Sequence, residues 1–327
     1  MCLIYSILTM KVIRPMASPK YPYYIPSKGR ADSRVTSRAL DFMCVPHYLV
    51  VEEQEHDLYD NSIKNWEKTT GLTTHATLLV LDQKYKENYE LLDEHGLTKS
   101  TGPGPARNFA WDHAMKNGYA WHWVADDNIS NFLRLNNNLK IKVGDGTCFR
   151  VMEDFCERYQ NVVMAGPNYR SFASQNAAMP PYVKNTRIYS CNLIRNDVCW
   201  KNGKSMRWRG RYNEDTILSL DMLTEGYCTV QFNAFLQDKM RTQRLAGGNS
   251  GEFYFKEGTA PKSRMLKETY PEYTELVWKF GREHHHVNYI PFKETKLVRK
   301  PGVVVGSGTN DYGMKIITVP DTVPGRV

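Results

Sequence analysis

No apolar run in the 327-residue chain approaches the ~20 residues that a membrane-spanning helix requires. The longest candidate, Met1 to Met10, is broken by Tyr5, Ser6 and Thr9 and has no basic lead or small-residue cleavage site. Neither a signal peptide nor an anchor is expected there, and residues 1–20 are expected to form a flexible leader. None of Cys2, Cys44, Cys148, Cys156, Cys191, Cys199 and Cys228 stands in C-x-x-C spacing, which argues against a structural zinc site or a redox dithiol. Scattered cysteines without a framework fit a reducing cytoplasm. Internal repeats and low-complexity segments are also missing. With 41% hydrophobic and 24% charged residues, the chain can bury an ordinary core. Its 43 Lys and Arg against 35 Asp and Glu give a formal charge of +8, a field that favours an anionic partner such as nucleic acid or nucleotide.

The first half alternates between strand and helix patterns. Tyr23-Tyr24-Ile25 reads as a strand ended by Pro26 and opened into a loop at Gly29. Val35, Ala39, Leu40 and Met43 recur at helical spacing, His47 to Val51 is a second strand, and Asp57 to Lys68 is a polar helix. Ala76 to Leu81 is a third strand, too apolar to face water, followed by a helix from Tyr85 to Glu94 that stops at Gly96. The helix from Ala106 to Lys116 puts Ala110, Trp111, Ala114 and Met115 on one face and is closed by Gly118. Trp121 to Ala125 is a fourth strand that runs into Asp126-Asp127-Asn128. This rhythm predicts βαβ units and a parallel sheet, with ligands at the carboxyl ends of the strands. Further on, a helix is expected from Phe149 to Tyr159 and another from Thr216 to Glu225. Strands are expected at Val162 to Ala165, Ile188 to Ile194 and Cys228 to Phe235, and an extended tail beyond Leu297.

Four groups of residues carry chemistry. Asp126 and Asp127 at the end of a buried strand repel one another unless a cation lies beside them, and a hard divalent ion with oxygen ligands is the natural cation. A solvated turn with a helix cap is the alternative. Asn213-Glu214-Asp215-Thr216 precedes an amphipathic helix and serves either as its cap or as a carboxylate held for general-base work. His284, His285 and His286 offer a metal ligand, a diphosphate contact or surface imidazoles. Between Trp200 and Arg211, the cations Lys201, Lys204, Arg207, Arg209 and Arg211 interleave with Trp200 and Trp208. That composition suits phosphate neutralisation and base stacking, with a loop whose tryptophans fill the core as the alternative.

Taken in order, Ile25-Pro-Ser-Lys-Gly-Arg30, Gly104-Pro-Ala-Arg107-Asn108, Val124-Ala-Asp126-Asp127-Asn128 and Asn213-Glu214-Asp215-Thr216 resemble the motifs of GT-A glycosyltransferases. The resemblance spans about residues 20 to 290. The opening wording, the Asp-Asp-Asn form and the late histidines narrow it to the TET-associated glycosyltransferases. That group is found largely in bacteriophage and is proposed to glycosylate oxidised bases such as 5-hydroxymethylcytosine in DNA. The resemblance implies an α/β fold, GT-A and Rossmann-like, with a mixed, mostly parallel central sheet flanked by helices. It implies one glycosyltransferase domain over residues 21–296, with a nucleotide-sugar half over about 21–130, an acceptor half over about 131–296, and a C-terminal extension at 297–327. Pro26, Ser27 and Arg30 would line the nucleotide pocket, with Arg107 and Asn108 near the donor. Asp127 would hold a divalent ion, Mn2+ or Mg2+, and Asp126 would face ribose or metal. One of His284, His285 and His286 would be a further ligand. Asp215, with Glu214 beside it, would be the catalytic base. The family's motif usually ends in aspartate where this chain has Asn128. The implied partners are a nucleotide-sugar, in the first place a UDP-sugar, and double-stranded DNA with a flipped hydroxymethylated base. The DNA would lie on Lys201, Lys204, Arg207, Trp208, Arg209 and Arg211, and the implied setting is the cytoplasm of a host cell. Two rivals remain at this level: a GT-A enzyme with a glycan or protein acceptor, and a non-catalytic DNA-binding scaffold.

Overall fold

The computed structural model describes residues 18–93, 101–174, 179–240, 258, 260–279, 281–309 and 315–316. Most of the expected leader, the Gly96 helix stop and much of the expected tail lie outside them. Strands β1 (Tyr23–Pro26), β2 (His47–Val51), β3 (Ala76–Val80) and β4 (Trp121–Ala125) pair in parallel in the order β3-β2-β1-β4. Beyond β4 the sheet is mixed and continues through β9 (Cys191–Arg195), β7 (Val162–Tyr169), β10 (Cys228–Lys239), β5 (Ile129–Asn136) and β6 (Leu139–Lys142). The short β8 (Tyr182–Lys184) pairs with β10. β9 runs antiparallel to both β4 and β7, whereas β7 and β10 are parallel to each other. The carboxyl ends of β1, β4, β7 and β10 therefore open on the same edge.

Both faces of the sheet are covered, which is why its central strands are continuously apolar rather than alternating. On one face Tyr23, Ile25, Leu49, Trp123 and Phe149 form a core beneath helices α1 (Val35–Phe42), α2 (His56–Thr70) and α5 (Thr147–Cys156). On the other, Tyr24, Val50, Val124 and Met164 pack against Trp111 of α4 (Gly104–Lys116) and Leu218 and Met222 of α6 (Glu214–Thr224). A smaller core joins α6 to α7 (Ala260–Thr269), and the hairpin of β11 (Thr274–Lys279) and β12 (Arg282–Val287) packs beside α7.

Several expectations are corrected. β3 is not fully buried: it is an edge strand, and Val80 is 41% exposed. The helix expected from Tyr85 to Glu94 is only α3, Lys84–Glu87. After it the carbonyls of Glu90 and Leu91 accept hydrogen bonds from Gly210 and Arg211, so this segment pairs with distant chain instead of with itself. Met115 is exposed, unlike Ala110, Trp111 and Ala114. β10 runs past Phe235 to Lys239, and that extension matters for the site.

Candidate active site

β4 delivers Asp126 and Asp127 to the carboxyl edge, and the loop that follows is tied down by its neighbours. Thr36, in the first turn of α1, donates its hydroxyl to the Asp126 carbonyl at 2.6 Å and accepts the Ile129 amide at 2.8 Å. The Asp126 amide donates to the Ser190 carbonyl at 2.7 Å. Successive residues point apart, so the two carboxylates enter different surroundings.

Asp127 turns toward β1. Its carboxylate pairs with Arg30 and accepts the Ser27 hydroxyl at 3.0 Å, while Ser27 is also bonded to the Tyr59 phenol at 2.7 Å. Burial raises its carboxyl above the usual range, against the pull of Arg30 and Ser27. Pro26 stands half-buried just ahead of this cluster. Three of the expected nucleotide-pocket residues and one expected metal ligand therefore meet, around Asp127.

Asp126 turns toward α4, α6 and β10. Arg107 donates to its Oδ1 at 2.7 Å, and Lys239 donates to its Oδ2 at 2.6 Å. Burial opposes ionisation of this carboxyl, but Lys239 and Arg107 outweigh it and bring it down to about 2. Arg107 also reaches Glu214 at 3.1 Å and lies over the Trp208 ring, 4.5 Å from its centre. Burial nonetheless raises Glu214 above its ordinary value, because Arg107 is shared with Asp126 and because Asp215 is close. Asp215 accepts the Thr216 amide at 2.7 Å at the start of α6. Asn213 ahead of it takes a left-handed φ of 52°, and its side-chain amide donates to the Lys262 carbonyl at 2.8 Å. Sequence motifs far apart in the chain, Arg107 with Asp126 and Glu214 with Asp215, thus form one charged centre.

The sequence reading missed several members of this centre. Lys239 also donates to Ser190 Oγ at 2.9 Å, which is bonded to the Tyr169 phenol at 2.6 Å. Ser190 holds this place with φ at 65°, a backbone state disfavoured for non-glycine residues. Arg187 lies over the Tyr189 ring at 4.5 Å, and its guanidinium is raised by Asp215 although burial opposes it. Lys262 on α7 is lowered by burial and then by Arg187, with Asp215 opposing. The polar end of β10, Gln237-Asp238-Lys239, resembles a loop in sequence, and Arg187 stands in no motif.

The histidines do not act together. On β12 they alternate, so His285 faces α7, 3.3 Å from Ser263 Oγ, while His284 and His286 share the opposite face. Burial, reinforced by Lys262 and Arg187, pushes the His285 imidazole down to about 3. The Asp127, Asp126 and histidine set does not fit a preformed divalent site. Both oxygens of each carboxylate already accept a hydrogen bond, three of the four from Arg or Lys. Among the described residues no three His, Cys, Asp or Glu side chains converge to hold a metal ion.

The basic segment lies apart from this centre for part of its length. β9 runs opposite to β4, pairing Cys191 with Ala125 and Arg195 with Trp121, so the loop after β9 lies at the amino edge, away from Asp126. Lys201 and Lys204 are exposed there, and the Lys201 amide donates to Glu225 at the far end of α6 from Glu214. The chain then returns along α4. Arg207 pairs with Asp112 at 2.8 Å, Arg209 with buried Asp221 at 2.6 Å, and Arg211 with Asp93 at 3.8 Å. Trp208 is 1% exposed, and its backbone is gripped from both sides by Asn108, which donates to its carbonyl and accepts its amide at 2.9 Å. Asn108 is therefore engaged with this segment rather than turned to a donor, and Trp208 has no free face on which a base could stack.

A Rossmann-like half-sheet joined to a mixed half, with acids and enclosed cations gathered at the carboxyl edge, defines an α/β enzyme of GT-A type. The family model described as TET-Associated Glycosyltransferase matches residues 21–248. The chain belongs to that family, and it is a glycosyltransferase. Among solved structures, the mannosyltransferase PcManGT from Pyrobaculum calidifontis, in complex with GDP-Man and Mn2+, is similar at 11% identity. The match covers 80% of this chain and 68% of that one, with a TM-score of 0.46. No curated protein matches the chain. No described helix is long and apolar enough to cross a membrane.

Proposed function

We infer that the protein transfers a sugar from a nucleotide-sugar, a UDP-sugar in the first instance, to the hydroxyl of a modified DNA base such as 5-hydroxymethylcytosine. The observation that carries this reading is the Arg107 bridge between Asp126 and Glu214, which sets Asp215 at the carboxyl edge of a family glycosyltransferase. In the reaction the acceptor oxygen bonds to the anomeric carbon as the bond from that carbon to the diphosphate oxygen breaks. The electron pair leaves on the diphosphate, and the acceptor proton passes to the Asp215 carboxylate. Arg107 holds Asp126 and Glu214 in register, and Ser27 and Arg30 position the nucleotide beside Asp127. A base inside a duplex cannot reach an enclosed centre, so the acceptor nucleotide leaves the stack.

The family resemblance implies Mn2+ or Mg2+, but Asp126 and Asp127 as folded are matched by Arg and Lys, and no step here is assigned to an ion. The positive net charge suits a polyanionic acceptor, although Lys201 and Lys204 stand on the wrong edge to present it. The test is an acceptor panel with labelled nucleotide-sugars: hydroxymethylated DNA, unmodified DNA, and a glycan. Label on hydroxymethylated DNA alone is expected. Label on the glycan alone would move the acceptor class, and label on none would remove the reading.

A further inference from the structure

Among the described residues, four cations from separate parts of the chain stand around Asp126, Glu214 and Asp215: Arg107 on α4, Lys239 at the end of β10, Arg187 ahead of β9, 3.4 Å from Thr216 Oγ1, and Lys262 on α7, whose carbonyl accepts the Asn213 side-chain amide. Lys239 is set with particular care. Its ammonium bridges Asp126 Oδ2 and Ser190 Oγ, and it lies 6.0 Å from the centre of the Tyr169 ring. Its side chain is only 17% exposed. A hard ion that took Asp126 as its ligand would have to share those oxygens with Arg107 and Lys239 or expel them, placing like charges side by side. A diphosphate has the opposite character. Its oxygens accept several charge-assisted hydrogen bonds at once, and Arg and Lys are well suited to donate them.

We propose that Lys239, together with Arg107, Arg187 and Lys262, receives the donor's diphosphate directly, so that side-chain cations rather than a divalent ion hold the leaving group. On this account Asp126 acts as the anchor that keeps Lys239 and Arg107 extended toward the cleft. Lys239 releases part of its bond to Asp126 when the phosphates arrive, and Ser190 retains it. The inference rests on the nucleotide-sugar reading above.

The experiment is calorimetric binding of UDP, GDP and UMP to the full chain, in excess chelator and again with Mn2+. In chelator, the wild type should bind at least one diphosphate nearly as tightly as with Mn2+, and UDP should bind more tightly than UMP. Lys239→Ala should weaken diphosphate binding about ten- to a hundredfold, as expected for a lost charge-assisted hydrogen bond, with partial recovery in Lys239→Arg. The comparison of UDP with UMP uses wild-type protein, so it stands even if a variant folds poorly. Diphosphate binding that occurs only with Mn2+, or that is unchanged in folded Lys239→Ala, overturns the inference and leaves the donor reading intact. Absence of binding by both diphosphates, with and without Mn2+, overturns both.

Discussion

Replacing Arg107 with methionine keeps much of the side chain's length and removes its charge. In the wild type, Arg107 is 3% exposed and joins Asp126 at 2.7 Å to Glu214 at 3.1 Å. Deleting one partner of a buried pair leaves the other charge uncompensated, at a cost of about 3–5 kcal/mol. Lys239 still serves Asp126, so most of the penalty falls on Glu214. The pH dependence follows with a definite sign. Glu214 is already raised above the ordinary 4.5 by burial, and losing Arg107 raises it further. A carboxyl raised in the folded state contributes stability that is fully present below its unfolded value and lost as pH rises through the folded value. The deficit of Arg107→Met should therefore be largest at pH 8 and shrink toward pH 4.5, and adding Glu214→Gln should recover much of it at pH 8. Urea unfolding of wild type, single and double variants at several pH values measures this. A deficit below about 1 kcal/mol at pH 8, or one that grows on acidification, would refute the buried bridge.

Three other outcomes are expected. Gly104 packs against the Tyr89 phenol, where an added Cβ would overlap the ring, so Gly104→Ala should destabilise by about 1–3 kcal/mol in the same unfolding assay. Glu153 accepts hydrogen bonds from the Lys20 and Tyr21 amides and from Trp123 Nε1, and burial raises its carboxyl to about 7. The wild type should lose about 3 kcal/mol relative to Glu153→Gln as pH rises from 4.5 to above 7, and a pH-independent difference would count against that burial cost. Lys201 and Lys204 are exposed on the far edge, so replacing both with alanine should leave transfer and the salt slope of DNA affinity unchanged, and a flattened slope would restore them as phosphate contacts.

Much of the frame was legible because parallel strands covered on both faces are written as apolar runs. β1, β2 and β4 carry that signature, and the acids after β4 mark the edge where ligands bind. The same signature misled at β3, since an edge strand can be equally apolar in composition while one face meets only partial cover. The β5–β6 hairpin went unseen although Asn137 and Asn138 supply it with two positive φ angles, at 48° and 63°. Among the site residues, those in compact motifs converged: Ser27, Arg30, Asp127 on one side and Arg107, Asp126, Glu214 on the other. Lys239 and Arg187 were illegible because tertiary structure, not local sequence, brings them to the acids: Lys239 through the pairing of β10 with β5, and Arg187 from the loop ahead of β9. The segment from Trp200 to Arg211 shows the same effect in reverse. Its interleaved Arg and Trp have the composition of a nucleic-acid surface, but Asp112 and Asp93, which pair with Arg207 and Arg211, are remote in sequence, and Asp221, twelve residues past Arg209, is brought back to it by the fold of α6.

The central claim is that sugar transfer occurs at the charged centre where Asp215 stands, with that carboxylate taking the acceptor's proton. Mass spectrometry of a hydroxymethylated DNA duplex, incubated with nucleotide-sugar and either wild type or Asp215→Asn, tests it most directly, with nucleotide binding measured alongside. Wild type should add one sugar to the modified base, while Asp215→Asn should bind the nucleotide as before and add none. Transfer by Asp215→Asn at the wild-type rate would contradict the account and leave Asp215 as the cap of α6.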